Sequence, residues 1–105
     1  MDSAISVHGV PIRLTDERWR HIVERHPEIE PHLADLLVTI REPEAVMDAG
    51  GGALLAHRGL NRGRHIVVLY REVSREDGFV ITSLLTSRLE RFLKRGTIWT
   101  RPSST

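Results

Sequence analysis

Residues 64–73, RHIVVLYREV, decide the fold class of this chain. The segment is rich in β-branched residues and carries a tyrosine, a composition that is common in strands. Residues 66–69 are apolar on both faces, so we expect this strand in the interior of a sheet. Residues 53–58, ALLAHR, precede it across the five-residue loop GLNRG, and this arrangement predicts a β-hairpin.

Further strand patterns lie on either side of this hairpin. Residues 45–48, AVMD, and residues 79–87, FVITSLLTS, are each separated from the hairpin by a turn signal, AGGG and SREDG respectively. TIW at 97–99 is a final short strand. Residues 4–8 and 10–14 alternate only weakly and are candidates for two short strands.

Two helices are predicted before these strands. The first runs from Asp16 to about His26. Thr15 can accept a free backbone N–H as its N-cap, and Pro27 marks its end because the residue before a proline resists helical dihedrals. The second is expected near residues 31–41, where apolar residues recur at i, i+3, i+4 and i+7. They are Leu33, Leu36, Leu37 and Ile40.

Helices followed by a meandering antiparallel sheet predict an α+β fold, with the helices packed on one face of the sheet. The length of 105 residues predicts a single domain spanning residues 1–105. Residues 1–9 and 100–105 are expected to be frayed ends.

The chain contains no cysteine, which excludes disulfides, a thiol nucleophile and a zinc–thiolate site. This composition suits a reducing cytoplasm. No basic stretch followed by an apolar run opens the sequence, so we expect no signal peptide. The longest apolar run, IVVLY, is too short to cross a bilayer.

A charge split lies beneath the net charge of +1. Residues 1–56 carry five arginines and ten acidic residues, a net charge of −5, whereas residues 57–105 carry nine arginines, one lysine and four acidic residues, a net charge of +6. Either the basic half faces an anion, or these charges form an ordinary solvated surface. Segment 88–96, RLERFLKRG, predicts a helical turn near 88–94 that packs through Leu89, Phe92 and Leu93.

Residues 21–28, HIVERHPE, hold two histidines at the end of the first helix. His21 and Arg25 are four residues apart and share one side of the helix. His26 lies about 140° from His21 on a continuous helix, so the two cannot act as an i, i+4 metal pair, and no metal site is predicted here. His26 is either a helix-end residue that complements the helix dipole or a general acid or base. The spacing of His21 and Arg25 alone favours an exposed polar face.

The predicted hairpin also carries histidines and arginines. If it is centred on Asn61, position 57 pairs with 65 and position 58 with 64. His57 and His65 would then share one face, and Arg58 and Arg64 the other. Pairs of like charge indicate either an anion between them or two solvated strand ends.

Several segments together resemble the phage-encoded PBECR group of small domains, from about Val10 to Trp99. They are LTDERWRHIVERHPE, LLVTIREPEAV, LLAHR, HIVVLYRE, DGFVITSLLTSR and GTIW. The HxxxRHPE helix is the most specific of them. This group belongs with the barnase, EndoU, colicin and RelE-like nucleases. The resemblance implies two N-terminal helices packed on one face of a four-stranded antiparallel sheet.

The resemblance also implies a metal-independent endoribonuclease, often a toxin effector, that needs no cofactor. In such enzymes a ribose 2′-OH attacks the adjacent phosphodiester, with acid–base groups and cations assisting. The implied partners are the RNA phosphate backbone and an antitoxin or immunity protein. An alternative is a catalytically inactive module of the same fold that binds RNA or a protein, and a third is a plain interaction domain with structural histidines.

The site residues that the resemblance implies come from the first helix and from the strands. His26 would be the acid or base, with His21 and Arg25 beside it. Arg58 and Arg71 would be phosphate clamps and Tyr70 a proton donor or positioner, and Thr82 is a weaker candidate.

Overall fold

The segment that the sequence placed inside a sheet is the central strand of the structure. The structure, a computed structural model, describes residues 1–103 of the chain. His65–Glu72 is the fourth of seven strands across a single sheet. Ile66, Val67 and Val68 within it are fully buried. The prediction of an interior strand is therefore confirmed.

The described residues form two α-helices and one seven-stranded sheet. Short 3₁₀ turns cover Pro27–His32 and Leu89–Phe92. No helix in residues 1–103 combines the length and the apolar character that a membrane crossing requires. In chain order, the elements are β1 (Asp2–Ile5), β2 (Pro11–Leu14), α1 (Asp16–Arg25), α2 (Leu33–Arg41), β3 (Ala45–Gly50), β4 (Ala53–Gly59), β5 (His65–Glu72), β6 (Gly78–Thr86) and β7 (Thr97–Thr100). The strand order across the sheet is β1-β2-β6-β5-β4-β3-β7.

The α+β class stands, but the expected arrangement of two N-terminal helices on a four-stranded antiparallel sheet is wrong. The sheet has seven strands and is mixed. β2 and β6 pair in parallel, whereas every other pair of neighbouring strands in the described residues is antiparallel. β1 and β2 pair with each other ahead of α1, so the helices lie between β2 and β3 and are not N-terminal. The local pattern of a four-residue strand does not specify its partner, and this explains the error.

The first helix begins as predicted. The Thr15 hydroxyl oxygen accepts the backbone N–H of Arg18 at 3.1 Å. The helix ends at Arg25, and Pro27 opens the 3₁₀ turn that leads into α2. Both helix predictions and the predicted turn near residues 88–94 are confirmed to within a few residues.

The core has one part on each face of the sheet. On one face, Ile22 of α1 and Leu36 and Ile40 of α2 pack with the buried residues of the sheet. On the other face, Leu89, Phe92 and Leu93 pack over a smaller group, as predicted. The buried sheet residues of that smaller group are Ala45, Met47, Leu55 and Val67.

The register of the β4–β5 hairpin differs from the prediction. His65 pairs with Gly59, and His57 pairs with Val67, so the partner of each residue is two positions from the expected one. Because side chains alternate with a period of two, this shift leaves His57 and His65 on the same face. The pairing of 57 with 65 and of 58 with 64 was therefore wrong, and the shared face was right.

The chain ends are more ordered than the sequence suggested. Residues 1–9, expected to fray, contain β1, which pairs with β2 from Asp2 to Ile5. At the other end, Thr100 is the last residue of β7, and Arg101 donates its backbone N–H to the Glu44 carbonyl at 2.9 Å. Of the predicted frayed segment 100–105, residues 104 and 105 lie outside the described residues.

Candidate functional site

A groove of about 290 Å³ lies between α1 and the edge of β6. β2 pairs with β6 only at Gly78 and Phe79, so α1 packs beside the rest of that strand. The groove brings together two histidines, two arginines and one hydroxyl. Its lining residues are Arg18, His21, Ile22, Arg25, His26, Ile81 and Thr82.

One face of α1 supplies most of the polar lining. Arg18, His21 and Arg25 follow the i, i+3, i+7 spacing, which aligns them along one side of a helix. Arg18 and Arg25 are thus about 10 Å apart along the axis. Ile22, one residue beyond His21, is 1% exposed and anchors this face against the core.

His26 reaches the same groove because the helix stops before it. Its backbone has φ −135° and ψ 74°, outside the helical region, while its backbone N–H still donates to the Ile22 carbonyl at 2.8 Å. The 140° separation from His21 expected on a continuous helix therefore does not apply. Pro27 is the cause, because a proline disfavours helical dihedrals in the residue before it.

A β-bulge shapes the strand side of the groove. Leu69 of β5 pairs with Thr82, but Tyr70 pairs with Val80, which leaves Ile81 without a partner in that ladder. A bulge redirects side chains locally and is frequent beside active sites. Here both Ile81 and Thr82 line the groove.

The arginines of the groove have no ionic partner in the described part of the chain. Within residues 1–103, no carboxylate lies within 4.0 Å of the guanidinium of Arg18 or Arg25. The histidines do have carboxylates nearby: Nε2 of His21 is 4.0 Å from Glu17, and Nδ1 of His26 is 3.8 Å from Glu28. Among the described residues, the groove thus offers two cations without an ionic partner and two imidazoles, each with a carboxylate nearby.

Two neighbouring depressions share Arg18 with the groove and extend it toward β2. The further one reaches Arg13, whose guanidinium donates to both oxygens of Asp77 at 2.7 and 3.0 Å. These hydrogen bonds raise the pKa of Arg13, and they lower the pKa of Asp77. The charge of Arg13 is therefore already neutralised by Asp77, and in the described part of the chain the cations here without an ionic partner are Arg18 and Arg25.

The structure unites four of the seven predicted site residues and separates the other three. His21, Arg25, His26 and Thr82 line the groove. The remaining three, which do not, are Arg58, Tyr70 and Arg71.

Each of these three lies elsewhere. Arg58 is half-buried in β4, on the face opposite His57. Tyr70 is fully buried in the main core, and this burial raises the pKa of its phenol well above the ordinary value. Arg71 donates to the carbonyl of Gly51 at 2.8 Å, in the turn between β3 and β4.

Sequence reasoning missed Arg18. Its position three residues before His21 and seven before Arg25 is the available signal, because it completes a polar stripe along one helix face. The charge split was not informative, since both free cations of the groove come from the acidic half of the sequence.

The hairpin histidines form a separate cluster on the sheet face away from the α-helices. His57 is 7% exposed, so it is not a solvated strand end. Burial lowers its pKa, nearby Glu44 opposes that shift, and nearby His65 adds to it.

Comparisons of the chain with protein-family models, with curated proteins and with solved structures give no match.

Proposed function

We propose that the groove between α1 and β6 is the active site of a metal-independent endoribonuclease. One observation carries the proposal: two histidines and two arginines, all between residues 18 and 26, line a single groove, and neither arginine has an ionic partner within residues 1–103. Imidazole is the usual acid–base group near neutral pH, and guanidinium is the cation best matched to phosphate.

The chemistry would use each of these groups. One imidazole accepts the proton of the ribose 2′-OH as that oxygen attacks the adjacent phosphorus. The other protonates the departing 5′ oxygen, and the products are a 2′,3′-cyclic phosphate and a 5′-hydroxyl. Arg18 and Arg25 stabilise the negative charge that develops on the phosphorane oxygens. The Thr82 hydroxyl is placed to donate to a phosphate oxygen.

The shape of the surface also supports a polymeric anion as substrate. The groove continues past Arg18 toward β2, so more than one phosphate can lie along it. Within residues 1–103, no phenylalanine, tyrosine or tryptophan lines the groove itself, and Phe79 lines only one of its extensions, so base stacking would contribute little. We therefore infer a substrate recognised mainly through its backbone.

The resemblance to the PBECR group points to the same chemistry. A toxin role and an antitoxin or immunity protein as partner belong to this proposal as implications of that resemblance. A cytoplasmic location belongs to it because the absence of cysteine suits a reducing compartment. Arg58, Tyr70 and Arg71 are left out of it, because they lie outside the groove.

The test is incubation of purified wild type, His26→Ala, His21→Ala and His8→Ala with total RNA in EDTA. His8 is the control, because it is an exposed histidine beside a carboxylate, Glu72, outside the groove. We expect the wild type and His8→Ala to cleave RNA and leave cyclic phosphate ends. Loss of an acid–base group should slow cleavage by roughly 10²- to 10⁴-fold.

Two results would overturn the proposal. One is a folded wild type that does not cleave any RNA, in which case retention of RNA at low salt would identify a binding module instead. The other is cleavage that both groove variants retain at the wild-type rate.

A further inference from the structure

A second cluster of chemically active side chains lies on the sheet face away from the α-helices. Glu44 immediately precedes β3, His57 lies in β4, and His65 is the first residue of β5. β3, β4 and β5 are adjacent strands, so three separate parts of the chain converge here. None of the three residues lines the groove beside α1.

Both histidines have a ring nitrogen that is buried and unpaired. Nδ1 of His57 and Nδ1 of His65 have no hydrogen-bond partner within residues 1–103. His57 is more than nine-tenths buried. A buried polar atom without a partner is costly and calls for an explanation, such as an ion. The two rings are edge-on, with centroids 6.4 Å apart, so stacking does not account for their proximity.

Gly59 makes room for the acidic member of the cluster. It lies opposite His65 in the hairpin, and its backbone N–H donates to Oε2 of Glu44. A Cβ at position 59 would lie 3.0 Å from that oxygen and 3.9 Å from Nδ1 of His65. The glycine therefore holds the carboxylate by its backbone and leaves the space between Glu44 and His65 open.

We propose that Glu44, His57 and His65 bind a divalent transition-metal ion of the zinc class. One potential ligand atom from each residue lies within 4.8 Å of the other two. Bonds of about 2.0–2.2 Å around a tetrahedral ion place its ligands roughly 3.4 Å apart, so modest side-chain rotations would close the set. Two imidazoles and one carboxylate select zinc or iron(II) over magnesium or calcium.

Three protein ligands leave a fourth position for water or another ligand. The backbone N–H of Gly59 fixes the orientation of the Glu44 carboxylate. Carboxylates that bind metals are usually held by such a hydrogen bond from a neighbouring group. The ion would join the ends of β3, β4 and β5. This site is independent of the proposed ribonuclease reaction, which uses other residues and no metal.

The test uses the full chain without a histidine tag, stripped with EDTA and titrated with Zn²⁺ in a calorimeter. We expect one ion per chain and an increase in Tm on zinc addition, because the ion binds only the folded state. His65→Ala and Glu44→Gln should each lower zinc affinity at least roughly tenfold. His57→Ala alone is a poor probe, because loss of this buried side chain can disrupt folding.

His8→Ala is the matched control, since His8 and Glu72 form a histidine–carboxylate pair at 2.8 Å elsewhere on the surface. It should bind zinc as the wild type does. Folding of every variant is verified by circular dichroism before titration. Absence of one-to-one zinc binding by the folded wild type would overturn the proposal, and so would wild-type affinity in both His65→Ala and Glu44→Gln. Because RNA cleavage is assayed in EDTA, the two proposals fail independently.

Discussion

Gly78 of β6 leaves no space for a side chain beside Ile12 of β2. A Cβ at position 78 would lie 2.5 Å from the Cδ1 atom of Ile12 and 2.5 Å from the backbone oxygen of Arg71. These two positions belong to the short parallel ladder that joins the β1–β2 hairpin to the rest of the sheet. The absence of one methyl group thus allows the N-terminal strands to enter the sheet.

Gly78→Ala should therefore destabilise the fold. The Ile12 side chain can rotate away, but the Arg71 carbonyl belongs to a central strand and cannot. We expect a loss of about 1–3 kcal/mol in the free energy of unfolding, as for other overpacked sites. Urea denaturation measures it.

Gly96→Ala is the control, because a Cβ at position 96 would meet no atom within 4 Å. It should leave the free energy of unfolding nearly unchanged. Equal stability of the two variants would show that the Arg71 carbonyl does not lie as close to position 78 as the structure indicates.

Tyr70→Phe should not weaken the fold. The phenolic oxygen of Tyr70 is buried and has no hydrogen-bond partner within residues 1–103, so removing it relieves a desolvated polar group. We expect a free energy of unfolding equal to that of the wild type or higher. Ser83→Ala is the contrast, because its buried hydroxyl donates to the Val67 carbonyl at 2.8 Å and its loss should cost about 1 kcal/mol.

The same variant tests a role that the resemblance implied. Tyr70 is fully buried and does not line the groove, so Tyr70→Phe should cleave RNA at the wild-type rate if the proposed site is correct. If Tyr70→Phe has unchanged stability but cleaves RNA much more slowly, Tyr70 is a proton donor in the reaction and the proposed site is wrong.

The local elements were predictable because their signals are local. Thr15 and Pro27 mark the ends of α1 through capping and proline sterics, which involve only near neighbours in sequence. The apolar segment 66–69 predicted an interior strand because burial on both faces leaves no polar alternation. These features follow from the residues themselves.

Features that depend on distant pairing were not predictable. The parallel contact of Ile12 with Gly78 joins residues far apart in sequence, and no local pattern specifies it. The hairpin register was wrong by two positions because loop length alone does not fix the turn geometry.

Both candidate sites show the same limit. His21 and His26 were recognisable, but their meeting in one groove depends on the helix ending at Arg25. Glu44 carried no signal at all, because only the pairing of β3 with β4 brings it to His57 and His65.

The Arg13–Asp77 pair should make the stability of the fold depend on pH in the acid range. The guanidinium lowers the pKa of Asp77 in the folded state, so the folded protein binds fewer protons there than the unfolded chain. The contribution is present above the ordinary carboxyl pKa and is lost as pH falls through the lowered folded value. It should be small, because the Arg13 and Asp77 side chains remain 42% and 43% exposed and solvent screens their attraction.

Thermal unfolding of wild type and Asp77→Asn over acid pH measures this contribution. The difference in Tm should be largest near neutral pH and should vanish at the acid end. Glu76→Gln, at the neighbouring exposed position, should follow the wild type throughout. A difference between wild type and Asp77→Asn that is constant with pH would mean that the ion pair does not operate.

Arg18→Ala should weaken RNA binding in a salt-dependent way. Arg18 has no carboxylate partner within residues 1–103 and lines the groove and both of its extensions, so it is placed to contact a phosphate. The slope of log affinity against log salt concentration is negative. Removal of one phosphate contact should make it shallower by about 0.7 for single-stranded RNA. Fluorescence anisotropy at several salt concentrations gives this slope, with a 2′-O-methyl RNA strand that lacks the attacking hydroxyl and is not cleaved.

Arg20→Ala is the matched control, because it removes the same charge from the same helix. Arg20 lies two residues away from Arg18 and lines a different depression, beside Trp19 and Glu24. If the groove is the RNA site, the salt dependence of binding by Arg20→Ala equals that of the wild type, whereas that of Arg18→Ala is weaker. Equal effects of the two substitutions would mean that RNA affinity depends only on the total charge of α1. That result would contradict the groove as the binding site.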